Sequence, residues 1–161
     1  MLPKEHIRDT LLHKKFVMEA GLKLIEHLFE EDRMDEAIEL SKRCVYHDES
    51  KLGPDEMKEF LQLPNDGLNM KFADMPLTEN ISNLIKIHWS HNRHHPEYFS
   101  DYHEMTEIDI MEMVCDWYAR SQQYQTNFKE FIQTRQQMRF KFDQEFFDRV
   151  WHYCILIDKG E

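Results

Sequence analysis

The sequence is poor in the residues that build sheets. Among 161 residues it has four glycines, four valines and five threonines, so β-branched runs and glycine-marked hairpins are scarce and helix is the expected element. Cysteine is scarce as well. Cys44, Cys115 and Cys154 are far apart, odd in number and form no C-x-x-C pair. That excludes a disulfide framework or a zinc knuckle and fits reduced, buried thiols in the cytoplasm. No apolar run approaches the length of a membrane span, and the opening MLPKEHIRD lacks the apolar stretch of a signal peptide, so no membrane role is expected. Positive charge is in deficit. A formal net charge of −11 repels phosphate backbones and argues against non-specific nucleic-acid binding. A small anionic substrate remains compatible where a metal ion reverses the sign locally.

What is present is apolar material for one core. Hydrophobic residues make up 41% of the chain, enough for a single domain over 1–161 and too short a chain for two. Apolar residues at helical spacing run from Ile7 to Phe29 and from Met34 to Val45. The second run ends at Tyr46-His47-Asp48, and Pro54 suits the first position of a short helix through Phe60 and Leu61. Gln62 to Leu77, with two prolines and a glycine, reads as the longest loop, either a lid or a plain connection. A further helix follows Thr78 and stops at Pro96, and Thr106 caps another, with Asp109 three residues on. Two more are expected at Asn127–Met138 and Asp143–Ile157. The aromatic face of the last, with Phe146, Phe147, Val150 and Trp151, covers either a dimer interface or only the core, and core is the preferred reading. The fold class expected is all-α, a single-domain bundle of five to seven helices.

Against this background four features carry chemistry: His13, the pair His47-Asp48, the cluster His88, His91, His94 and His95, and Asp116. A lone helical histidine is ordinarily a surface or core residue, and a His-Asp pair alone means little. Asp116 is harder to set aside, because it stands in the apolar stretch Met111–Tyr118, where an unpartnered buried carboxylate costs several kcal/mol. Imidazole with carboxylate suits borderline divalent ions, namely Mn, Fe, Ni, Co or Zn. Neighbouring residues at a helix end diverge, so His47 and Asp48 meet one ion only if the chain turns there, or they serve two ions. On a continuous helix His88, His91 and His95 share a face and His94 is rotated away, unless the helix has already ended. Asp109, Glu112 and Asp116 repeat that spacing on the next helix.

The order His13 … His47-Asp48 … Asp116 resembles the H … HD … D ligand order of the HD-domain metal-dependent phosphohydrolases. His47-Asp48-Glu49-Ser50-Lys51 is similar to that family's HD-x-[GS]-K segment. The Gly-Tyr-Pro triplet of the HD-GYP branch is absent, with His94-His95-Pro96-Glu97-Tyr98 in its place, which argues against cyclic dinucleotide hydrolysis. The whole pattern of HD-x-SK, H-x-N-x-HHPEY and EM-x-x-DW looks like small HD-like proteins of phages and bacteria.

The resemblance implies an HD-type helical domain whose first metal is held by His13, His47, Asp48 and Asp116. His91 and His95 are expected at a second ion or at phosphate, ahead of His88 and His94. Asp48 bridges if two ions are present, and Lys51 and Arg93 balance phosphate charge. Asn92 and Glu97 would orient histidines, and Trp89, Tyr98, Phe99 and Tyr102 are candidates to stack a nucleobase or simply to pack. The activity implied is hydrolysis of a nucleotide or other small phosphate ester in the cytoplasm. Two alternatives belong to other classes: di-iron oxygenase chemistry on the same scaffold, and a non-catalytic, phage-type partner-binding protein that keeps the metal.

Overall fold

A computed structural model describes residues 3–62 and 79–159. Among them every regular element is helical, in line with the scarcity of glycine, valine and threonine. Seven helices follow in order: α1 (Pro3–Glu30), α2 (Met34–Tyr46), α3 (Pro54–Leu61), α4 (Glu79–His91), α5 (Glu107–Tyr124), α6 and α7 (Gln144–Asp158). Helix α6 is composite: it opens at Phe128–Glu130, widens to a π-helix at Phe131–Gln136 and closes at Gln137–Phe140. Short 3₁₀ turns occupy Glu49–Leu52, Pro96–Tyr98 and Tyr102–Glu104. The lid or connection expected over 62–77 lies, past Gln62, outside the described residues, as does Thr78.

Helix α5 is the axis of the bundle. Every residue from Asp109 to Ala119 is buried, the pattern of a helix surrounded by others rather than lying on a surface. Its start is fixed by a capping box: the Thr106 side chain accepts from the Asp109 N–H, and the Asp109 carboxylate accepts from the Thr106 N–H. Helices α1, α2 and α7 pack around it. They contribute Val17, Ala20, Leu24 and Leu28, then Leu40 and Cys44, then Phe146, Val150 and Ile157. Phe147 and Trp151 lie against the same core, partly buried. Where α1 crosses α2, a Cβ on Gly21 would stand 2.4 Å from Cys44 Sγ, so glycine permits the close approach.

A smaller cluster of Phe60, Ile81 and Leu84 joins α3 to α4. His6 stacks on Phe60 at 4.2 Å and donates from Nε2 to the Lys51 carbonyl at 2.8 Å. This ties the start of α1 to the turn that follows His47-Asp48.

Candidate metal centre

The site begins with a turn. Helix α2 ends at Tyr46, His47 leaves it extended (φ −50°, ψ 130°), and Asp48 adopts the left-handed region (φ 54°, ψ 25°). Asp tolerates that region better than most residues, at a cost on the order of 1 kcal/mol. The reversal aims two consecutive side chains into one pocket, and both are about 1% exposed.

Four side chains meet in a first group: His13 from α1, His47 and Asp48 from the turn, and Asp116 from α5. His13 Nε2 lies 2.8 Å from Asp116 Oδ1, 3.3 Å from His47 Nε2 and 3.7 Å from Asp48 Oδ2. The outer nitrogens are occupied. His13 Nδ1 donates to Gln123 Oε1 and His47 Nδ1 to Glu112 Oε1, each at 2.9 Å. Both Nε2 atoms therefore point inward at carboxylate oxygens, the arrangement in which imidazole ligates.

Asp48 reaches a second group with its other oxygen, alongside His88, His94 and His95. Asp48 Oδ1 lies 3.5 Å from both His88 Nε2 and His94 Nε2, and His88 Nε2 lies 2.8 Å from His95 Nε2. Again the outer nitrogens are held, His88 Nδ1 by Glu56 Oε2 at 3.0 Å and His94 Nδ1 close to Glu112 Oε1 at 3.2 Å. One Glu112 oxygen thus steadies a histidine of each group, while Arg43 Nε donates to the other at 2.6 Å.

The donor set fits a cation. Among the described residues, Asp48 Oδ1, His94 Nε2 and Asp116 Oδ1 are buried without a hydrogen-bond partner, which is costly unless a cation meets them. Burial, with Arg120 beside it, pushes His13 down to about 3. Burial opposes charge on His47 also, but Asp48, Asp116 and Glu112 outweigh it and raise His47 to about 10. The carboxylates thus favour a cation at His47, and a metal ion competes with a proton for the same imidazole. These buried His, Asp and Glu groups can hold a metal ion.

Several residues expected at the site lie elsewhere. His91 is exposed and donates from Nδ1 to Ile87 O on its own helix at 2.8 Å, and it stands outside both groups. Helix α4 ends at His91, so the helical spacing that favoured His91 over His94 does not extend that far. Asn92 Nδ2 donates to the His88 carbonyl at 2.7 Å and to Ser50 Oγ at 2.8 Å, satisfying the helix end, and the chain then delivers His94 and His95 inward. Arg93 is committed to Asp109, at 3.3 Å from Nε and 3.0 Å from Nη2, and packs on Tyr98 and Phe99. Lys51 is buried and donates to Asp48 Oδ2, so it steadies a ligand carboxylate. Glu97 pairs with Arg139, not with a histidine. Trp89 lies against the Arg139 guanidinium, and Tyr102 packs in the core on Phe142 and Phe146.

Glu112, expected in a carboxylate stripe with Asp109 and Asp116, serves as an anchor for His47 and His94. Three contributors escaped the sequence reading: Glu56 and Gln123 as histidine anchors, and Arg120, whose Nε is 3.8 Å from Asp116 Oδ1. Arg120 follows Asp116 by four residues on one helix, a spacing that places both on one face. Nothing local marks Glu56 and Gln123, because their partners come from distant segments.

A family model matches residues 2–151, and its description is a family of unknown function, DUF5662. The chain belongs to this family. No curated protein and no solved structure matches it. All seven side chains of the two groups, from His13 to Asp116, fall inside the stretch matched to DUF5662.

Proposed function

We propose that this DUF5662 protein is a metal-dependent phosphohydrolase of HD-domain type, acting in the cytoplasm on a nucleotide or other small phosphate ester. The observation that carries this reading is the shared carboxylate: Asp48 faces His13 and His47 with Oδ2 and His88 and His94 with Oδ1, and belongs to both groups. His13, His47, Asp48 and Asp116 would hold one divalent transition ion (Mn, Fe, Ni, Co or Zn), and Asp48, His88, His94 and His95 a second. Such ions supply neutralisation of phosphoryl charge and a nucleophile from water near neutral pH. The chain's own groups do the rest. Glu112, Gln123 and Glu56 fix the ring orientations, and Lys51 steadies Asp48. Arg120, part exposed beside Asp116, takes the phosphate-facing place first expected of Arg93 and offers a planar fork for a phosphoryl group. Three buried free thiols suit a reducing compartment.

The test is phosphate release from a panel of nucleotides and small phosphate esters by protein loaded with Mn²⁺. Turnover is expected, falling by about 10²-fold or more in Asp116→Asn. Metal-loaded protein that consumes oxygen and releases no phosphate would transfer the site to oxygenase chemistry. Absence of both activities would leave a partner-binding protein with a retained metal.

A further inference from the structure

Helix α1 has two apolar faces. One is buried in the core through Val17, Ala20, Leu24 and Leu28. The other points outward and carries Ile7, Leu11, Met18, Leu22 and Phe29, which are between 39% and 56% exposed. Their steps along the chain are four, seven, four and seven residues, which keeps all five within one narrow stripe. Single exposed leucines are ordinary, but a continuous ridge along a 28-residue helix, about 42 Å long, is the signature of a contact surface.

The charges beside the ridge identify the occupant. The first half of α1, residues 3–16, holds Lys4, Arg8, Lys14 and Lys15 against Glu5 and Asp9. The second half, residues 17–30, holds Glu19, Glu26 and Glu30 against Lys23. The helix is thus net positive at its start and net negative at its end. Two such helices attract when antiparallel and repel when parallel. The chain supplies both halves of the complement itself, which is what a two-fold, isologous contact requires.

We propose that the outer ridge of α1 is a self-association surface, on which a second copy of the chain docks antiparallel about a two-fold axis near Ala20. That register sets Met18 beside Leu22 of the second copy and Leu11 beside its Phe29. On the flank it brings Lys15 to Glu26 of the second copy, where in the single chain Lys15 meets Glu19 at 3.3 Å. A ridge this long and one helix wide covers roughly 400 Å², about half of the ~800 Å² per partner of a standard interface. The dimer therefore dissociates on dilution and is not obligate. His13 lies on the buried side of α1, so the contact is independent of the metal site.

Sedimentation equilibrium of the full chain over a dilution series tests this. A reversible monomer–dimer equilibrium is expected. Leu22→Glu should abolish it while leaving the thermal midpoint unchanged at dilutions where the wild type is monomeric, because Leu22 is exposed. Lys15→Glu should weaken association roughly tenfold, since each contact occurs twice, and adding Glu26→Lys should restore it. A monomer at every concentration, a dimer indifferent to Leu22→Glu, or a double reversal that fails to recover association would each overturn the proposal.

Discussion

Asp48 spends one carboxylate on two groups of histidines, and its left-handed backbone is what makes this possible. His47 precedes it in an extended conformation, so the two side chains converge instead of diverging as they would on a continued helix. Glu112 is the complement of Asp48 on the outer side, one oxygen serving both His47 and His94 and the other held by Arg43. Burial works against ionising Glu112, yet His94 and His47 hold its carboxyl well below the usual range. Its negative charge is therefore a fixed part of the pocket, and orienting carboxylates of this kind govern metal affinity. Glu112→Gln preserves the shape and removes the charge. The expected outcome is a loss of about 10–100-fold in transition-metal affinity by chelator competition, with the helical circular dichroism of the metal-free protein retained. Unchanged affinity would show that the histidines orient themselves. His13, His47, Asp48 and Asp116 stand out in the sequence by order and by the oddity of a charge in an apolar run. Glu112 stands out only by its helical spacing with Asp109 and Asp116; its role as an anchor was not legible, since it depends on two histidines that lie 65 and 18 residues away.

The end of α4 decides which histidines enter the site. Pro96 signals only that a helix cannot run through residue 95. Four residues earlier Asn92 turns its side chain back on the His88 carbonyl, and that choice moves His91 outside and His94 inside. Caps were legible where both members lie in one short stretch, as at Thr106 and Asp109. Asp109 also receives Arg43 and Arg93, so the first turn of α5 fastens α2 and the segment after α4 together. The start of α7 has a cap of its own, with Asp143 accepting from the Phe146 N–H at 2.9 Å. His103 reaches Asp143 with Nε2 and Asp101 with Nδ1, both at 2.6 Å. Hydrogen bonds to Asp143 and then Asp101 raise His103 above its usual 6.5. Both ring nitrogens donate only in the charged form. The stabilisation is fully present below about pH 6.5 and is lost as pH rises through the raised value. The thermal midpoint of the wild type should fall further than that of His103→Gln between about pH 6 and pH 8.5, by a small margin because the pair is exposed. Parallel curves for the two proteins would contradict this.

At the scale of the molecule, α1 links the parts. Its inner face supplies core and His13, its start pins the turn after Asp48 through His6, and its outer ridge is free of the core. The all-helical class follows from composition, and the order of helices from apolar spacing, because both are local properties repeated along the chain. The two histidine groups were only half legible, because they rest on the meeting of α1, α2, the segment after α4, and α5, and no local pattern records such meetings. The strong net negative charge of the chain is concentrated in part at the site itself, where three buried carboxylates face five buried or half-buried histidines. Lys51, Arg43 and Arg120 each stand beside one of these carboxylates, and the inward-facing histidine nitrogens leave room for a further cation.

The most direct measurement is therefore the metal content of protein purified without a histidine tag, by elemental mass spectrometry, for wild type and for His47→Ala/Asp48→Ala. About one or two equivalents of a transition metal are expected in the wild type, with loss in the double variant. A wild-type chain that binds no metal after incubation with Mn²⁺, Fe²⁺, Ni²⁺ and Zn²⁺ would contradict the reading of these histidines and carboxylates as a metal centre.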